Sequence, residues 1–319
     1  MTGKGQGIKT LSGNVSLPAN VALSPFQFDL SSTTPLTGDF NASLEANSVS
    51  AAFLPADQSL SGSITGQGTL SGTISAPVVA GALNFKDGVY AYQPYGVKLS
   101  SIMARLSLSG SVVTLESLKA TDGSSGALTG QGSVNLRDAT QTQINLAMRD
   151  FHLLNSKIAT AVLSSDMQLK GNGDRALLSG TIRPSQVDVI IPEQFKSDIP
   201  QLNIIRKTTE NAAPDILNLI DLNVQIQAEN QIFVRGWGLD AEFGGDVTAT
   251  GTLNDPQLNG NFKSIRGRYE EFGKRFTLAR ANLRFQGSVP PSPYLDIEAT
   301  TTAGDVTASV LLTGAVAKP

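Results

Sequence analysis

Leu222-Asn223-Val224-Gln225-Ile226-Gln227-Ala228 sets an apolar residue at every second position and fills the gaps with Asn and Gln. An extended chain points successive side chains to opposite faces, so this stretch makes a strand that is apolar on one side and polar on the other. The pattern recurs. Val247, Ala249 and Leu253 alternate with Asp246, Thr248, Thr250 and Thr252. Leu295, Ile297 and Ala299 oppose Asp296, Glu298 and Thr300, while Val306, Ala308, Val310 and Leu312 oppose Asp305, Thr307, Ser309 and Leu311. Earlier segments run over Ile102 to Leu108 and Ile144 to Met148, and through Met167 with Leu169. Asp87-Gly88, Asp122-Gly123, Asn172-Gly173 and Asn254-Asp255-Pro256 read as turns between them. Roughly twenty segments at spacings of about 8–15 residues indicate an all-β chain.

The chain also repeats itself. Gly72, Thr73, Pro77, Gly81, Gly88 and Tyr90 return 179 residues later as Gly251, Thr252, Pro256, Gly260, Gly267 and Tyr269. Tyr95-Gly96 echoes as Phe272-Gly273, and a weaker copy passes through Leu178, Gly180, Thr181 and Ile182 to Phe195. Such repetition implies a modular architecture whose function lies on a repeated surface.

Composition narrows the classes. The 319 residues are 40% hydrophobic, 16% charged and 6% aromatic, with 31 glycines, which suits β-structure with many turns. A formal charge of −3 argues against a nucleic-acid partner, which rewards clustered Lys and Arg. The absence of cysteine excludes disulfides, thiolate catalysis and zinc-thiolate sites. No apolar run approaches the ~18 residues of a membrane span. Strand-like alternation is under way by Ile8 to Leu17 and still running near the end, so the sequence reads as part of a longer protein.

Many one-faced strands with almost no helix to cover them leave two closures: the sheet folds on itself, or it keeps a groove for an apolar ligand. The apolar face is rich in Ala, Val and Leu, which leaves room. Strands stack at about 4.8 Å, so twenty would extend on the order of 90 Å in a long, curved, open, antiparallel-rich sheet. The expected groove lining is Ile102, Leu106, Leu108, Ile144, Leu146, Met148, Met167, Leu169, Leu222, Val224, Ile226, Ile232, Val234, Val247, Ala249, Leu253, Phe262, Phe276, Leu278, Leu283, Phe285, Leu295, Ile297, Ala299, Val306, Ala308, Val310 and Leu312. A charge there, such as Val247→Asp, is expected to block passage of an acyl chain without abolishing folding. No cofactor is implied; a phospholipid or detergent is the bound ligand expected.

Catalytic signals are weak. His152 is the only histidine and reads as a polar residue near a strand end. Asp296 and Glu298 have the spacing of a paired acid site, but any solvated strand face produces it. Glu270 and Glu271 point to opposite faces. Gly3-Lys4-Gly5-Gln6-Gly7, Gly66-Gln67-Gly68 and Gly130-Gln131-Gly132 lack the Gly-Lys-Ser/Thr and helix start of a phosphate loop, so they read as glycines in sheet bends. Nothing reads as an enzyme or a metal site. Arg235-Gly236-Trp237-Gly238 holds the only tryptophan, whose indole either plugs the groove or faces a partner; plugging is the plainer reading. Arg266-Gly267-Arg268-Tyr269 reads as a solvated strand with one aromatic.

The stretch Phe233-Val234-Arg235-Gly236-Trp237-Gly238-Leu239-Asp240-Ala241-Glu242-Phe243-Gly244-Gly245-Asp246 resembles the opening of the C-terminal region of the TamB family. The resemblance continues through Gly251-Thr252-Leu253-Asn254-Asp255-Pro256, Arg266 to Leu278, Pro293 to Ala299 and Thr313-Gly314-Ala315, covering about the last ninety residues. It implies a taco-shaped sheet similar to AsmA-like and bridge-like lipid transfer proteins. It further implies a periplasmic protein of diderm bacteria, anchored in the inner membrane by an N-terminal helix. Two roles come with it: carriage of phospholipid to the outer membrane, and assembly of outer-membrane β-barrel proteins and autotransporters with the barrel partner TamA. The family's short acidic, Leu-rich terminal segment does not follow Lys318-Pro319, which puts docking to TamA in question. Sheet edges that a longer protein would cover also predict self-association of this fragment as an artefact. The expected organisation is a repeat-built groove over 1–191, a polar insertion with a short helix near Asp215–Ile220 over 192–220, and a TamB-type segment over 221–319.

Overall fold

The computed structural model describes residues 2–5, 8–16, 20–23, 26–29, 33–50, 54–55, 57–191, 216–271 and 273–315. Among them lie nineteen strands. The first ten are Thr2–Gly5 (β1), Ile8–Ser16 (β2), Asn20–Leu23 (β3), Phe26–Asp29 (β4), Thr37–Glu45 (β5), Gln58–Gly72 (β6), Pro77–Tyr92 (β7), Val97–Ser109 (β8), Val112–Thr121 (β9) and Ala127–Asn135 (β10). Gln143–Asn155 (β11), Ala159–Asn172 (β12), Arg175–Ile190 (β13), Ile220–Gly236 (β14), Leu239–Gly251 (β15), Pro256–Glu271 (β16), Lys274–Gln286 (β17), Tyr294–Ala303 (β18) and Val306–Ala315 (β19) complete the set. Helix is confined, among the described residues, to Ala46–Ser50 and three short 3-10 turns. The all-β class and the open, mostly antiparallel sheet expected from the alternation are what the structure has.

The strands gather into two units, Met1–Phe151 with Gln168–Gly173, and His152–Met167 with Asp174–Pro319. In the first, β1, β2, β5, β6, β7, β8, β9, β10 and β11 follow one another as an antiparallel meander, with β3 and β4 a separate hairpin. In the second, β14 to β19 form an equivalent meander. One described pairing breaks the rule: β13 and β14 run parallel. A parallel pair cannot be joined by a tight hairpin and needs a longer connection between its strands. Residues 192–215 lie outside the described residues; Ile216–Leu219 is a 3-10 turn that leads into β14. Arg175 fastens the start of the parallel pair by donating from Nε to Asp221 Oδ2 at 2.8 Å and from a second nitrogen to the other oxygen.

The sequence repeat is a repeated hairpin. Gly72 (φ 91°) and Gly251 (φ 81°) end β6 and β15 opposite Pro77 and Pro256, the first residues of β7 and β16. In each turn a threonine hydroxyl accepts a backbone N–H three residues on, Thr73 from Ala76 at 3.2 Å and Thr252 from Asp255 at 3.1 Å. Asp122-Gly123 and Asn254-Asp255 fall between strands, and Asn172-Gly173 leaves the end of β12. Asp87-Gly88 does not: it sits inside β7 at a register shift, with Asp87 at φ 53°, so this turn signal marks a bulge.

Candidate functional site

Register decides which side chains share a face. In the first unit, Phe40, Gly68, Gly81, Leu108, Val113 and Val134 stand in one row across six strands. The next row runs Ala42, Gly66, Leu83, Leu106, Leu115, Gly132 and Ile144, and a third runs Leu44, Ile64, Phe85, Ala104, Leu118, Gly130 and Leu146. Ile102 follows opposite Gly88, and Met148 opposite Leu128, which faces Ala120. Gln168 Nε2 donates to Asn145 Oδ1 on the polar side, so Leu169 shares the apolar side with Ile144 and Leu146.

The second unit repeats the arrangement. Ile182, Ile226, Val247, Gly260 and Phe285 form one row; Val187, Ile232, Phe243 and Ser264 another; Val189, Val234, Ala241 and Gly267 a third. Ala228, Gly245, Phe262, Leu283, Leu295 and Gly314 cross six strands. Leu278 leads to Ala299 and Val310, Ala281 to Ile297 and Leu312, and Phe276 faces Tyr269. Thr301 faces Ala308, and Ala303 faces Val306. Met167 packs on the cluster of Leu222, Val224 and Ala249. Of the lining residues expected from sequence, Leu253 alone stands outside the strands, exposed in the β15–β16 turn.

Glycine shapes this face. A Cβ on Gly66 would come 2.5 Å from Leu83 Cδ2, on Gly88 2.4 Å from Phe85 Cε1, on Gly130 2.7 Å from Leu146 Cδ2, and on Gly267 2.5 Å from Leu278 Cδ1. Large side chains therefore lie across bare glycine backbone, on the adjoining strand at Gly66, Gly130 and Gly267 and within β7 itself at Gly88.

Exposure along the face is uneven. Most of the first unit's rows, Leu106, Leu108, Ile144, Leu146 and Met148 among them, are half-buried. At β14 and β15 the face is closed: Phe243 is 1% exposed, Val247 2% and Val224 5%. At β19 it opens, with Val310 38% and Val306 70% exposed. Phe243 was missed by sequence reading because Gly244-Gly245 interrupts the visible alternation; its parity with Val247 and Ala249 was the available signal. Burial also corrects the expectation for Val247→Asp, since an unpaired charge at so closed a site costs folding itself.

The opposite face is polar and ion-paired. Asp240 meets Arg268 at 2.8 Å and Arg235 at 3.4 Å, and Arg235 also pairs with Asp188 and lies 5.0 Å from the Phe233 ring centroid. Glu242 is buried and accepts from Arg266 Nε at 2.6 Å and from the Gln231 N–H at 3.3 Å. A hollow of about 400 Å³ opens among Phe233, Arg235, Glu242, Arg266 and Arg268, its guanidinium groups already engaged with carboxylates. Arg280 bridges Asp296 and Glu298, at 3.1 and 3.6 Å, so this carboxylate couple is part of an ion-paired strand face. His152 is exposed near the end of β11. Gly66-Gln67-Gly68 and Gly130-Gln131-Gly132 lie within β6 and β10.

Trp237 is a correction. It occupies, with Gly238, the two-residue turn between β14 and β15, both at positive φ (51° and 80°), and is 50% exposed. The indole does not fill the face; Phe243 does.

The family model of the TamB C-terminal domain matches residues 116–319. The chain belongs to the TamB family. The match takes in all of the second unit's meander together with the last strands of the first, and it extends well upstream of the ninety residues whose motifs suggested the family. TamB membership places the chain in the cell envelope and in the translocation and assembly system of the outer membrane, whose barrel component is TamA. No helix among the described residues is long and apolar enough to cross a membrane.

Proposed function

We propose that the apolar face binds phospholipid acyl chains and that the protein is a non-catalytic periplasmic conduit, passing phospholipid between the inner and outer membranes in support of outer-membrane biogenesis. The observation that carries this reading is the set of continuous apolar rows, half-buried through most of the first unit. Monomeric proteins rarely leave so much contiguous apolar surface without using it. An acyl chain laid along such rows gains about 0.8 kcal/mol per buried methylene. Because each row offers similar small and branched side chains, neighbouring positions hold a chain about equally well, which favours sliding over trapping.

A photoreactive residue placed at Leu106, on the apolar face, and separately at Ser107, on the polar face, tests the reading in cells. Labelled phospholipid captured at Leu106 and not at Ser107 is the expected result. Capture at neither, with protein adducts at both, would sink it.

A further inference from the structure

The closed zone at β15 has a consequence for any ligand lying on this face. Phe243 faces Ser264 across the β15–β16 ladder, and the Ser264 hydroxyl accepts the N–H of Ala281 on β17 at 3.0 Å. Small residues on two successive strands thus leave a trough beside Phe243. Ile232, Phe262, Leu283 and Ile297 pack against the cluster that Phe243 forms with Ala241 and Ala281. The ring is 1% exposed, and the residues packed on its cluster come from β14 to β18 of its own sheet. Beyond it the face is less closed: Leu258 and Phe262 on β16 are half-buried and Val306 and Val310 on β19 are exposed, while the small Ala281 and Ala299 between them are buried.

We propose that Phe243 is a plug in the apolar face: an acyl chain lies over the open strands but crosses β15 only when the Phe243 ring swings out of its trough. The inference rests on the lipid-conduit reading and adds to it a barrier at one residue. A ring packed by neighbours that are themselves half-exposed can leave without unfolding the backbone ladder, because Ile232, Phe262 and Leu283 have solvent or ligand on their free sides. An incoming chain replaces the apolar contacts that the ring gives up, so displacement is driven by the ligand itself.

The test uses the full chain with p-benzoylphenylalanine in place of Ile232, beside the plug, or of Val310, on the open strand β19. Phosphatidylethanolamine vesicles carrying a labelled lipid are the probe. In the wild-type background, capture is expected at Val310 and to be about tenfold lower at Ile232, since closing a site by one aromatic ring corresponds to about a decade in occupancy. Phe243→Ala is expected to bring Ile232 up to the level of Val310. Phe243→Leu, which keeps most of the packing, should give an intermediate value and guards against a folding defect in the alanine variant. Equal capture at both positions in the wild type overturns the plug and leaves the lipid reading standing. Capture at Val310 with Ile232 silent in all three backgrounds also overturns it. Capture at neither position, and none at Leu106, removes the lipid reading and the plug together.

Discussion

Gly260 stands directly opposite Val247 in the β15–β16 ladder, at φ 136°, and a Cβ there would come within 2.3 Å of the Asp246 carbonyl oxygen. The pairing is close because one partner has no side chain, and the strand twists through a conformation that L-residues avoid. Gly260→Ala is expected to lose about 2–3 kcal/mol in urea unfolding. Gly273→Ala, at φ 70° in a turn with open space around it, should cost about 1 kcal/mol. Equal effects would mean that the contact at Gly260 relaxes freely.

Trp237 sits in a two-residue hairpin turn that favours Asn before Gly. Trp237→Asn should therefore stabilise the protein by about 0.5–1 kcal/mol despite removing the chain's only indole. A lower unfolding midpoint for the variant would show that the ring makes a contact worth more than the backbone strain it imposes.

Charges on the apolar face should separate by burial. Leu106→Asp, at a half-buried site, is expected to fold and to reduce phospholipid capture at the neighbouring Leu115. Val247→Asp is expected to lose several kcal/mol of stability, since its carboxylate would be enclosed without a partner. Circular dichroism melts alongside photocapture distinguish the two outcomes.

Asp221 carries a pH prediction. The hydrogen bond from Arg175, with the attraction of that guanidinium, holds its carboxyl below the ordinary value of 3.8, against a smaller opposing effect of desolvation. A group whose folded-state pKa is depressed adds stability that is complete above the unfolded value and is lost as pH falls through the folded one. Acid unfolding should consequently be shallower in Asp221→Asn, with its difference from wild type vanishing at the acid end. Asp188, held low by Gln186 and then by Arg235, should behave in the same direction.

Much of this architecture is legible in the sequence because period-2 alternation is a local property: Leu222 to Ala228 can be read as a strand with no knowledge of its neighbours. The shared apolar face follows for the same reason, since register preserves parity from strand to strand. Parallel pairing of β13 with β14 was not legible, because it depends on which strand the chain meets after the crossover. Phe243 was obscured by two glycines that open a gap in the alternation, and the closure over it comes from side chains on β14, β16, β17 and β18 that sequence cannot bring together. Asp87-Gly88 misled because the same dipeptide that closes a hairpin also supplies the positive φ of a bulge.

The shared hairpin at Gly72–Pro77 and Gly251–Pro256 gives the molecule a unit of length. Each further copy inserted in frame would add two strands, roughly 10 Å of sheet, and the same apolar cross-section. Reach can then change in discrete steps by duplication or loss of hairpins while the surface a ligand meets stays the same. Distance spanned becomes a quantity that the gene can count.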